Sequence, residues 1–124
     1  MKRTLWSRSG LLIVLLMVPI TSWGHAYLVK SSPARRAVLS NAPARIVLWF
    51  NERLEARFSQ LSVWNAEGQQ VDGGSVQVGP DDGKRLSVDV PTLPAGSYTV
   101  KYRVLSVDGH VVEAEFPFTV RSRQ

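Results

Sequence analysis

The chain has 124 residues and no cysteine, so no disulfide can hold any part of it together. Its formal charge is +5, but Lys2, Arg3 and Arg8 are three of the 15 Lys and Arg residues and fall within the first 24 positions, whereas all 10 Asp and Glu residues come later. The 100 residues from position 25 onward therefore carry only +2, which excludes a strongly basic nucleic-acid-binding surface and leaves room for one small domain but not two.

The first 24 residues read as a cleaved secretory signal peptide. A basic start is followed by the apolar run Leu11 to Ile20 and by the small residues of Thr21-Ser22-Trp23-Gly24. The run is too short to span a bilayer, which takes roughly 20 apolar residues. Ser22 and Gly24 suit a cut before His25, while Gly24 and Ala26 suit a cut before Tyr27. The placement of the chain's two histidines, described below, favours His25, giving a leader over 1–24 and a domain over 25–124. Both methionines, Met1 and Met17, leave with the leader, so the mature chain offers no sulfur ligand.

Short strands punctuated by turns follow, with no 3.6-residue apolar period long enough for a substantial helix. Ala26 to Ser32 reads as a strand and residues 33–44, with Pro33 and Pro43, as a connection. Arg45 to Phe50 is apolar on both faces, which predicts a central strand. Gln60 to Asn65 alternates and runs into a hairpin turn at Ala66-Glu67-Gly68-Gln69. Ser75 to Val78 and Lys84 to Val90 carry few large apolar residues and read as peripheral strands.

Tyr98 follows the corner Leu93-Pro94-Ala95-Gly96-Ser97, the arrangement of a tyrosine corner in Greek-key sandwiches. Tyr98, Val100, Tyr102 and Val104 then form one face of a long strand, and Val112, Ala114, Phe116, Phe118 and Val120 one face of the last. Pro117 marks that last strand as an edge or a bulge. Together these elements predict an all-β fold, a Greek-key antiparallel β-sandwich or barrel of about seven strands.

The chain's two histidines carry the chemistry. A His25 at a mature N-terminus presents an α-amine and an imidazole that can chelate one metal, and the amine, with a pKa of about 7.7–8.0, gives up its proton readily. Asp108 and His110, two residues apart, can aim an oxygen and a nitrogen at a common point. Three nitrogens and one oxygen suit Cu(II), whereas Cu(I) favours the sulfur ligands that are missing here. Asp108-Gly109 is equally an ordinary type I′ hairpin signal, expected between two strands whether or not a metal binds.

Five stretches resemble the periplasmic copper-binding proteins of the CopC type, including PcoC and the YobA branch. They are His25 to Pro33, Ala42 to Glu52, Leu93 to Tyr98, Ser106 to Val111 and Phe116 to Val120. The resemblance covers the whole mature chain. It implies a cupredoxin-like or immunoglobulin-like sandwich that binds one Cu(II) ion per chain through His25, Asp108 and His110. It also implies that Glu52, which otherwise reads as a solvated turn residue, lies beside the metal as an outer-sphere or weak axial group. Some members carry a second, Cu(I) site on a methionine-rich loop. The matching region here, Val63 to Val78, has neither Met nor His, so that site is expected to be missing.

The expected function is that of a monomeric periplasmic Cu(II) carrier or scavenger for copper homeostasis or resistance. No enzymatic activity is expected, and the resemblance implies that the ion is handed to an inner-membrane transporter of the CopD type. Two other readings stay open. A small histidine-brace copper oxidase also uses an N-terminal histidine with a second one, although Asp108 would fill a position that oxygen activation needs open. A metal-free immunoglobulin-like interaction domain is the other, since fold alone does not give function.

Overall fold

The computed structural model describes residues 26–122. Eight strands form two four-stranded sheets: β1 (Leu28–Ser32), β3 (Arg45–Phe50), β6 (Arg85–Asp89) and β5 (Val76–Val78) in one, in that spatial order; β2 (Val38–Leu39), β8 (Val111–Val120), β7 (Gly96–Leu105) and β4 (Gln60–Asn65) in the other. Neighbours pair antiparallel except for the short parallel contact of β2 with β8. The helical piece among the described residues is a single 3-10 turn, Ala56–Phe58. The leader expected over residues 1–24, and His25, lie outside the described residues.

Alternation along each strand builds the core. Ile46, Leu48, Phe50, Leu86 and Val88 point inward from the first sheet, and Leu61, Val63, Tyr98, Val100, Tyr102, Val104, Phe116, Phe118 and Val120 from the second. Phe50 meets Tyr102 edge to face across the sandwich, ring centroids 5.5 Å apart. On the outer face of β3, Lys30 sets its ammonium 4.8 Å from the Trp49 ring centre, covering an indole that faces away from the core. The expectation of a central Arg45–Phe50 strand holds, since β1 and β6 flank it. The tyrosine corner is also present, with the Tyr98 hydroxyl donating to the Pro94 carbonyl.

Two expectations need correction. The strand read as peripheral at Lys84 to Val90 is interior: β6 lies between β3 and β5, and Leu86 and Val88 are fully buried. A strand needs only its inward positions to be apolar, so a low count of large residues does not place it at an edge. The segment 33–44 is not wholly a connection. Val38 and Leu39 pair with Thr119 and Val120, giving part of β8 a neighbour on its open side. The expected face of β8 does form, with Val112 opposite Val104 and Ala114 opposite Tyr102, although Val112 is half-buried and Ala114 exposed.

Pro117 fits an edge position. Its carbonyl accepts from the Arg36 N–H at 2.7 Å, so its donor-less nitrogen also points away from β7 and the β7–β8 ladder loses no bond. The interior placement of β6 is tested by Leu86→Ala. In urea denaturation it should cost about 2–5 kcal/mol, comparable with Leu48→Ala; a loss below about 1 kcal/mol would return β6 to the periphery.

Candidate metal centre

The β7–β8 hairpin closes differently from the expected type I′ turn, which requires positive φ at both central residues. Gly109 is left-handed at φ +92°, but Asp108 is not among the residues with positive φ. The Gly109 N–H donates to the Ser106 carbonyl at 2.9 Å and the Ser106 N–H to the His110 carbonyl at 3.0 Å. This is a three-residue loop, a tight turn followed by a left-handed glycine. It brings Asp108 and His110 together, with His110 Nδ1 buried and 3.1 Å from Asp108 Oδ1.

Ser106 organises this loop, and the sequence reading passed over it. The inward positions of β7 run Tyr98, Val100, Tyr102 and Val104, and the next in step is Ser106, which is completely buried. A polar residue in a core position must find a partner, and the Ser106 hydroxyl donates to Asp108 Oδ1. The His110 N–H also reaches that oxygen, at 3.3 Å. The Ser106 hydroxyl foremost, with the His110 side chain and N–H, holds the Asp108 carboxyl down at about 2, against partial loss of hydration.

The segment after β3 ties this hairpin to the start of β1. The Tyr27 N–H donates to Asn51 Oδ1 at 2.6 Å and the Asn51 N–H to the Tyr27 carbonyl at 3.2 Å. Two residues on, the Arg53 carbonyl accepts from the Val107 N–H at 3.0 Å, and the Glu55 N–H donates to the Leu105 carbonyl at 2.8 Å. Between them Leu54 is buried and bridges to Ser106. Residues 51–55 therefore bind the N-terminal segment on one side and the hairpin on the other. The β1–β3 register shifts between Leu28 and Lys30, a bulge of the kind that re-aims a strand end beside a site.

Glu52 sits in the middle of this crossing. Its Oε2 is buried and has no hydrogen-bond partner among the described residues. The adjacent Arg53 does not supply a cation there, since its guanidinium lies against Gly83, where an added Cβ would fall 3.1 Å from Arg53 Cζ. A carboxylate oxygen removed from water without a partner is costly, and a bound cation is one way to meet that cost.

The described residues hold no group of three or more His, Cys, Asp or Glu side chains able to bind an ion on their own. Asp108 and His110 are brought together, Glu52 is joined to them through the backbone bonds of its neighbours, and His25 lies outside the described residues. The concavity lined by Gln60, Trp64, Lys101 and Glu115 is on the outer face of β4, β7 and β8 and includes neither Asp108 nor His110.

Comparison with known proteins places these features in a family. The CopC domain model matches residues 28–121. The copper transport protein CutJ of Bacillus subtilis (strain 168) is 36% identical over 121 residues, 97% of this chain; the chain spans only 22% of the length of CutJ. Protein YobA of Escherichia coli (strain K12) is 32% identical over 120 residues, 96% of each chain. The crystal structure of CopC from Methylosinus trichosporium OB3b superposes with a TM-score of 0.75 at 35% identity, covering 81% of this chain and 97% of that one.

A carboxyl held low contributes stability that is fully present above its ordinary value of 3.8 and is lost as pH falls through about 2. Carbon-13 NMR of the Asp108 carboxyl should accordingly give a midpoint near 2, leaving the group ionised at neutral pH. A midpoint at 3.8 or above would contradict the hydrogen-bonded arrangement.

Proposed function

The chain belongs to the CopC family, and from that premise we propose that it is a periplasmic Cu(II) carrier, exported by removal of residues 1–24. The mature domain, residues 25–124, binds one Cu(II) ion per monomer through the α-amine and imidazole of His25 with Asp108 and His110, and Glu52 stands beside the ion. The carrying observation is the crossing segment 51–55, which is bonded both to Tyr27 and to the 106–110 hairpin. Consecutive Cα atoms are about 3.8 Å apart, so residue 25 begins within about 7.6 Å of a residue clamped to that segment.

The donor chemistry supports the oxidation state. No cysteine occurs in the chain and both methionines fall within residues 1–24, so the ligands available to the domain are nitrogen and oxygen, the set that suits Cu(II). Asp108 is already ionised and has no proton to shed when the metal arrives. The orphaned Glu52 oxygen suits a group that faces a cation or orients an imidazole bound to one.

Delivery rather than catalysis is the reading for what happens next. In CutJ the region similar to this chain is 22% of a longer protein named for copper transport, which supports a transporter of the CopD type as the recipient here. Tyr27, Val107 and Val111 are exposed apolar side chains flanking the proposed ligands, giving such a recipient a surface to meet. A carboxylate from Asp108 in the ligand set leaves less open coordination for oxygen than a copper oxidase needs.

Competition titration of the mature protein with Cu(II) tests this. One equivalent should bind, Asp108→Ala and His110→Ala should each weaken binding by more than about 100-fold, and Glu52→Gln by about 10-fold, as for an outer-shell partner. Unchanged affinity in both ligand variants would remove the site from the hairpin.

A further inference from the structure

We infer that Ser106 is a positioning residue for the metal centre: by holding Oδ1 of Asp108 it leaves Oδ2 as the oxygen that binds the ion. The inference rests on the copper reading above and deepens it.

The geometry separates the two carboxylate oxygens. Oδ1 accepts from the Ser106 hydroxyl and from the His110 N–H at 3.3 Å, and His110 Nδ1 lies 3.1 Å away. Oδ2 takes part in none of these contacts. The Ser106 oxygen also lies 3.3 Å from the His110 carbonyl, but a hydroxyl has one proton, and the closer, charged carboxylate is the stronger acceptor.

Ser106 is itself held on several sides. It is completely buried, its N–H donates to the His110 carbonyl, its carbonyl accepts from the Gly109 N–H, and it bridges to Leu54 on the crossing segment. A serine whose backbone is held by these bonds in a buried position ties the carboxylate that its hydroxyl meets to the core. An alanine there would keep the backbone bonds and lose only the bond to Asp108. The Asp108 side chain would then be free to turn, and the metal would have to order it on binding.

The test is a double-mutant cycle on Cu(II) affinity with wild type, Ser106→Ala, Asp108→Ala and the double variant, accompanied by thermal unfolding of each metal-free protein. Ser106→Ala should weaken Cu(II) binding by about 10- to 100-fold in the wild-type background and have almost no effect in the Asp108→Ala background. An equal loss in both backgrounds, or no loss in the first, overturns the inference while the copper reading stands. A wild-type protein that binds no Cu(II) overturns both. A crystal structure of the copper-loaded wild type provides a check that needs no variant: the bond should come from Asp108 Oδ2 with Oδ1 still on Ser106, and a bond from Oδ1 overturns the assignment.

Discussion

Asn51 and Arg53 stand two residues apart on the short segment that leaves β3, and their hydrogen bonds point to opposite halves of the proposed site. Asn51 grips Tyr27 through both its side chain and its N–H, while Arg53 takes the Val107 N–H with its carbonyl. Leu54, buried next to them, keeps the crossing from drifting because moving it would open the core. The N-terminal segment and the β7–β8 hairpin belong to different sheets and are distant in sequence. Besides the pairing of β1 with β3 and the shared core, this crossing is the backbone link that ties both to one end of the sandwich.

The electrostatics follow from that placement. Two carboxylates, Glu52 and Asp108, are brought to the same end, and their environments differ. Asp108 is stabilised as an anion by the donors of its own hairpin. Glu52 has a buried oxygen with no hydrogen-bond partner among the described residues, and the neighbouring Arg53 guanidinium lies against Gly83. A buried carboxylate oxygen with no partner among the described residues, at the same end as the ionised Asp108, suits a cation from outside. With neither thiol nor thioether in residues 25–124, the donors proposed for this end are nitrogen and oxygen, the set that suits Cu(II).

Much of this was legible in the sequence where a pattern reports a position directly. The two-sided apolar run Arg45–Phe50 announced an interior strand, the Pro94–Tyr98 corner announced its own hydrogen bond, and Asp108-Gly109 announced a hairpin. The turn type was missed because Asp-Gly suits both a two-residue loop and the tail of a three-residue one, and the choice depends on strand register. The interior place of β6 was missed because pairing partners are set by tertiary topology and not by the strand's own composition. Ser106 did leave a signal, a serine in the inward step of Tyr98, Val100, Tyr102 and Val104, but its meaning appears only when the hairpin folds Asp108 back over it. Asn51 left none, since its partner is the backbone of Tyr27 and not a side chain.

The proposed centre depends on which residue begins the mature chain, because the amine of His25 contributes a ligand only if no peptide bond precedes it. Intact mass and N-terminal sequencing of the protein purified from the periplasm decide this directly. The expected result is a chain beginning at His25. A chain beginning at Tyr27, or one that retains its leader, would contradict the proposal, since the centre would then lack either both nitrogens of His25 or its free amine.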